Sequence, residues 1–282
     1  MRQWMVQHMK AAFEDIWPID QEACTPPPYW EGWPRGKTFA LVLTHDVEVE
    51  GGHEKCRELM RMEMLLGFRS SFNFVPERYR VSAALREELT NNGFEVGVHG
   101  LKHDGKLYNS RREFNRRAAK INLYLKEWDA VGFRSPAMHH NLEWIHNLNI
   151  EYDSSTFDTD PFEPQPDGVQ TIFPFLVKGN SSQKRYVELP YTLAQDFTLF
   201  ILMKERCIDI WKRKLDWIAE KGGMALLPAH PDYMNFQGNE LRMDEYPAKY
   251  YQNFLEYVKT KYSGQYWNGL PKEIGRFWSM RV

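Results

Sequence analysis

Short apolar runs alternate with amphipathic stretches through most of the chain, and nearly every run ends in a charged or polar residue. Residues 39–43 (FALVL) are continuously apolar, the pattern of a strand covered on both faces. They lead into Thr44-His45-Asp46-Val47-Glu48, where a strand's period of two sets Asp46 and Glu48 on one side. A helix is expected over about 53–66, closed by Gly67, then a strand over 71–75 stopped by Pro76 and a helix over 82–91. The stretch from Val96 to His103 (VGVHGLKH) opens as a strand and ends in a pair of histidines. Ser110-Arg111-Arg112-Glu113 reads as a capping box, and Phe114, Ala118, Ile121 and Leu125 behind it form one buried stripe.

The second half repeats the alternation. A short strand over 131–133 ends in Arg134-Ser135-Pro136, and Asn141 can cap a helix that turns Leu142, Ile145 and Leu148 inward. A strand over 149–152 ends in Asp153-Ser154-Ser155. Residues 156–186 are Pro-rich and are expected to form an irregular surface excursion near the site, with a hairpin. A strand over 186–189 follows. Ile208, Trp211, Leu215 and Ile218 stripe a helix that stops at Gly222-Gly223, and a strand over 224–227 runs into Pro228-Ala229-His230-Pro231. The last clear helix is expected over 245–260. Residues 1–38 read as a short helix and a Pro-rich arm packed on a single domain of residues 39–282.

Strands alternating with helices imply a parallel sheet, either open or closed. Asp46, Glu48, His99, His103, Arg134, Asp153 and His230 all follow strand-like runs. In a TIM-barrel-like (β/α) barrel of seven or eight units those ends meet at one mouth, so the α/β barrel is preferred to an open sheet.

Composition narrows the function. The chain has 282 residues, 43% hydrophobic and 26% charged, with a net charge of −2, so no basic stripe points to nucleic acid. No apolar run is long enough to span a membrane, and the start lacks the apolar core of a signal peptide, so a cytoplasmic location is expected. Cys24, Cys56 and Cys207 are odd in number and widely spaced, which fits a reducing compartment.

The candidate chemistry lies at the strand ends. On a helical turn, His99 and His103 would share one side with Cβ atoms roughly 5–6 Å apart, a workable bite for one divalent metal. Side by side, Asp46 and Glu48 repel unless a cation lies between them or one keeps its proton. Plainer readings stand beside these. The histidine pair also reads as an exposed loop, Asp46 and Glu48 as helix caps, Arg134 with Asp153 as a structural ion pair, and His230 as a packed turn residue; for the histidines and His230 the functional reading is preferred. His45 and His53 are expected to be structural, and Arg111, Arg112, Arg116 and Arg117 a solvated helix face. His139-His140 reads as a substrate-facing loop.

The ordered set T-H-D-V-E, His99-Gly100-Leu101-Lys102-His103, Arg134-Ser135-Pro136-Ala137, Tyr152-Asp153-Ser154-Ser155 and Leu227-Pro228-Ala229-His230-Pro231 resembles the motifs of the polysaccharide deacetylases of carbohydrate esterase family 4. The match spans roughly residues 39–232. It departs at the first motif, where Val47 and Glu48 replace a second adjacent aspartate, and after Pro136, where Ala137 replaces an aromatic. The resemblance implies a distorted barrel and a divalent metal, zinc first, held by Glu48, His99 and His103. It further implies Asp46 as general base, Arg134 as its partner, His230 as general acid and Asp153 as the carboxylate orienting His230. Ala137, through its backbone N–H, would help hold the oxyanion; His139, His140 and Tyr191 join it as substrate-binding candidates. The implied reaction is removal of an N-acetyl group from a carbohydrate or sugar-linked precursor in cell-surface polysaccharide biosynthesis. A catalytically silent glycan- or partner-binding barrel and an amidase on non-sugar amides are the alternatives. Oligomeric state is not legible.

Overall fold

β1 (Phe39–Val47) is the central strand, and all nine of its residues are buried. The computed structural model describes residues 10–179, 184–238 and 240–281. β1 runs into α1 (Glu50–Leu66), which ends at Gly67 in the left-handed conformation that a glycine adopts without steric cost. β2 (Ser71–Phe74), α2 (Ala83–Asn91), β3 (Glu95–His99) and α3 (Arg111–Glu127) follow. β4 (Gly132–Arg134), α4 (Leu142–Ile145) and β5 (Tyr152–Asp153) then lead to the hairpin of β6 (Phe175–Lys178) and β7 (Arg185–Glu188). α5 (Asp209–Lys221) precedes β8 (Met224–Ala229). The short pair β9 (Met234–Asn235) and β10 (Tyr246–Pro247), α6 (Lys249–Lys261), β11 (Tyr266–Asn268) and α7 (Pro271–Ser279) complete the order.

β1, β2, β3, β4, β5 and β7 pair in succession, all parallel, while β6 lies antiparallel to β7 at that edge. On its other side β1 pairs with β8 along residues 40–45, while on the β2 side its first three residues pair with β11. The sheet curls into a half-barrel. Between β5 and β8 the extended segment after Pro190 bridges the gap: Phe157 pairs with Tyr191, and Thr192 N–H donates to the Leu226 carbonyl at 3.1 Å. Backbone groups that a continuous strand would satisfy are met here by an irregular one.

The arm ahead of β1 packs on the start of the barrel strands. Trp33 is 4% exposed and its indole N–H donates to the Gly222 carbonyl at 2.8 Å. Its ring contacts include Trp278 of α7, itself wholly buried. The helix expected at the chain start falls largely outside the described residues; residues 10–12 are helical.

Several expectations change. β11 and α7 follow the helix that was expected to be the last. The surface excursion is confined to its middle: Pro164, Pro166 and Asp167 are exposed, while Phe157, Asp158 and Asp160 at its start and Ile172 and Phe173 at its end are buried. The turn of the expected hairpin lies outside the described residues. Arg117 is not on a solvated face, since it is 5% exposed and pairs with Asp104 at 2.7 Å and Glu113 at 2.5 Å.

Candidate metal centre and its acid–base neighbours

His99 is the last residue of β3, and His103 follows in a tight loop rather than a helical turn. Two residues in the left-handed region, Gly100 (φ 61°) and His103 (φ 52°), fold the loop back. The rings end up 5.1 Å apart, centroid to centroid. Glu48, just beyond β1, brings its Oε1 to 2.9 Å from His103 Nε2. One ligand atom from each of Glu48, His99 and His103 lies within 4.8 Å of the others.

The donor set fits a divalent ion. His99 Nδ1 lies 3.1 Å from the Arg134 carbonyl, so this nitrogen carries the proton and leaves Nε2 free to ligate. The Nε2 atoms of both histidines are buried and, the His103–Glu48 contact apart, have no hydrogen-bond partner among the described residues. Burial drives His99 down to about 4, so its imidazole is neutral as a ligand must be. Burial alone would raise Glu48, but His103, His230 and His99 outweigh it and hold the carboxylate ionised. Two imidazoles and one carboxylate are a common zinc set.

Asp46 lies beside this group, 2% exposed. Its Oδ1 accepts from Asn73 Nδ2 at 2.9 Å, and its Oδ2 is 3.5 Å from Arg134 Nη1. Arg134 Nη2 donates to Thr44 Oγ1 at 3.0 Å and to Ser154 Oγ at 2.9 Å, which fixes the guanidinium. Burial pushes the Asp46 carboxyl up, yet Arg134, His99, His230 and Asn73 together bring it below the usual range. Asn73 fits because its neighbour on β3 is Gly97, where a Cβ would overlap the amide.

His230 follows β8. Its Nδ1 is 2.6 Å from Asp196 Oδ1, and its backbone N–H donates to Asp196 Oδ2 at 2.8 Å. Tyr246 donates to the same Oδ2 at 2.9 Å. Burial disfavours the imidazolium, but the Asp196 carboxylate, with Glu48 and Asp46, pushes the pKa up to about 10. His230 Nε2 points to the centre, 3.9 Å from Glu48 Oε1.

The partner of His230 is therefore Asp196, not Asp153. Asp153 lies at the end of β5, fully buried, where Ser155 donates to it at 2.7 Å and the opposing residue on β7 is Glu188. Burial raises both of these carboxyls. Sequence reading missed Asp196 because no strand ends there. It follows the irregular segment that closes the barrel and opens a π-helical turn over Phe197–Leu202.

The substrate-binding candidates separate. Ala137 is exposed, with φ 53°, and follows Pro136, whose ring lies against Gly100. His139 is half-buried and borders a small pocket with His103, Pro136 and Tyr108. His140 turns inward, its Nδ1 2.9 Å from the Met138 carbonyl. Tyr191 leaves the substrate-facing set: it is 1% exposed, and its hydroxyl is hydrogen-bonded to Glu163 at 2.6 Å and to Asp160 at 2.9 Å. His45 is buried against Glu63 at 2.8 Å. The helix-cap reading of Asp46 and Glu48 does not hold: among the described residues no side chain caps α1, and the Val49 N–H ahead of it donates to Asp232 at 2.8 Å.

A comparison with family models finds no match, and one with curated proteins finds none. Solved structures do match. A protein assigned as a polysaccharide deacetylase from Mycobacterium smegmatis superposes with a TM-score of 0.68 at 18% identity, covering 91% of this chain and 95% of that one. Puue allantoinase gives 0.65 at 16% identity, covering 91% and 94%. A mutant of BA3943, a CE4 family pseudoenzyme with restored enzymatic activity, gives 0.51 at 15% identity, covering 89% and 72%. The fold is that of the carbohydrate esterase family 4 deacetylases, a distorted (β/α) barrel.

Proposed function

We propose that this chain is a metal-dependent amide hydrolase of the polysaccharide deacetylase type, which removes an N-acetyl group from a carbohydrate or a sugar-linked precursor. The carrying observation is the convergence of Glu48, His99 and His103, with both imidazole Nε2 atoms buried, between an ionised Asp46 and a protonated His230. The first three would hold the ion, zinc before other divalent metals. The chemistry such an ion supplies when bound is polarisation of the amide carbonyl and acidification of water.

The chain's own groups would do the rest. Asp46, kept ionised by Arg134 and oriented by Asn73, accepts a proton from the attacking water. The Ala137 backbone N–H is a candidate donor to the oxyanion. His230, charged through Asp196, gives its proton to the departing nitrogen, which leaves as the amine. His139 at the rim is a candidate substrate contact, and His140 a support for its loop. No described helix is long and apolar enough to cross a membrane. The three free cysteines support a reducing, cytoplasmic setting, where precursors of cell-surface polysaccharide would be the substrates.

A second reading is an amidase on non-sugar amides, favoured by the similarity to an allantoinase structure. The altered first motif, Asp46-Val47-Glu48, favours a third, a silent barrel that binds glycans or a partner. The deciding experiment is acetate release from a panel of N-acetyl sugars, with and without chelator, beside elemental analysis of the purified protein. Chelator-sensitive release from a sugar supports the proposal. Turnover of ureides or simple amides alone selects the second reading, and stoichiometric metal without any turnover selects the third.

A further inference from the structure

At the junction of β1 and α1 a single carboxylate serves two backbone donors, and its role depends on the reading of Glu48 as a metal ligand. Val49 precedes α1, and its backbone N–H and that of Glu48 lie ahead of the helix and outside its hydrogen bonds, so both need a partner from elsewhere. Asp232 supplies both acceptors: Oδ2 takes the Glu48 N–H at 3.1 Å and Oδ1 the Val49 N–H at 2.8 Å. These two amides flank the Glu48 α-carbon. One carboxylate therefore fixes the peptide planes on either side of it, and with them the direction in which the Glu48 side chain leaves the backbone.

The far end of Glu48 is held from the same segment. Tyr233 donates to Glu48 Oε2 at 3.3 Å, which leaves Oε1 facing His103. Asp232 is itself fixed, 8% exposed, with Lys55 Nζ donating to its carbonyl at 3.2 Å. It reaches the Glu48 and Val49 amides because residue 52 is glycine; a Cβ there would lie 2.5 Å from the Asp232 carboxyl carbon. The segment that carries the proton donor His230 thus also aims the acidic ligand.

We propose that Asp232 is a positioning residue of the metal centre, setting the Glu48 carboxylate on the ion by clamping the amides of Glu48 and Val49 across Gly52. It touches neither substrate nor metal.

The test is a competition titration of Zn2+ into the chelator-stripped full chain, with apo melting temperature followed separately. Asp232→Ala is expected to weaken Zn2+ binding by about 10- to 100-fold. Asp232→Asn keeps one acceptor and should fall between it and the parent. Gly52→Ala, with Asp232 intact, should weaken binding by displacing the carboxylate, and should add little to Asp232→Ala. A merely structural role would lower the apo melting temperature and leave zinc affinity unmoved. Affinity within about twofold of the parent in Asp232→Ala overturns the proposal while leaving the metal reading standing. Absence of zinc binding in the parent removes both. Should Asp232→Ala fail to fold, Asp232→Asn and Gly52→Ala carry the same comparison.

Discussion

His230 and Asp46 are opposite solutions to burial. Each is nearly excluded from water, and each keeps its charge because a fixed partner outweighs the desolvation. Asp196→Asn removes the partner of His230. The alkaline limb of the pH–rate profile, where the acid loses its proton, is expected to move from near pH 10 toward the ordinary imidazole range near 6.5. The same substitution should lower kcat by roughly 10²–10⁴-fold. The sign for stability is set by a folded pKa above the unfolded one. The contribution of His230 is complete below about 6.5 and is lost as pH rises through about 10. Asp46→Asn should lower kcat by a comparable factor, about 10²–10⁴-fold, while zinc affinity stays within a few-fold. Loss of bound zinc in Asp46→Asn, with zinc retained in Glu48→Ala, would make Asp46 the acidic ligand instead. The residue types at this site were legible because charged groups directly after apolar runs are unusual; their partners were not. Asn73 reads as one polar residue within a strand, and Asp196 belongs to no strand at all.

At the scale of elements, the loop after β5 is buried where it leaves the strand and is pinned there to α5. Lys214 of α5 meets Asp158 at 2.5 Å, with both side chains at most 2% exposed. Burial raises Asp158 to about 6 even with Lys214 alongside. Its folded pKa lies above the ordinary 3.8, so this group's contribution falls as pH rises between the two values. Lys214→Met strands the carboxylate and is expected to cost about 3–5 kcal/mol at about pH 8. The cost should be smaller at about pH 5, where Asp158 holds its proton; denaturant melts at the two pH values measure the difference. The periodic helices α3 and α5 and the apolar strands β1 and β8 could be read directly, since their stripes match the faces they bury. The connector could not. Its acids Asp158, Asp160 and Glu163 look solvated until Lys214 and Tyr191 are seen to neutralise or bond them.

For the whole molecule, the centre joins the ends of β1, β3 and β8, so an ion held there should stabilise the folded state. Zinc at roughly 100 times its Kd adds about 2.7 kcal/mol to a protein that binds it only when folded. The melting temperature should rise with added Zn2+ in the parent, return with chelator, and stay constant in His99→Ala; a parent unaffected by zinc would contradict the centre. At its base the half-barrel is closed by the aromatic arm, where Trp30 and Trp33 meet Trp278.

The sequence alone determined the alternation of strands and helices and the row of polar residues at strand ends. Both are local properties, set by the period of each element and by the residue that follows it. Only the tertiary structure decided which carboxylate faces which base. Asp196 reaches His230 from 34 residues away, and Asp232 reaches Glu48 from 184. No periodicity encodes such pairs, because they depend on how the sheet curls and where its irregular segment closes.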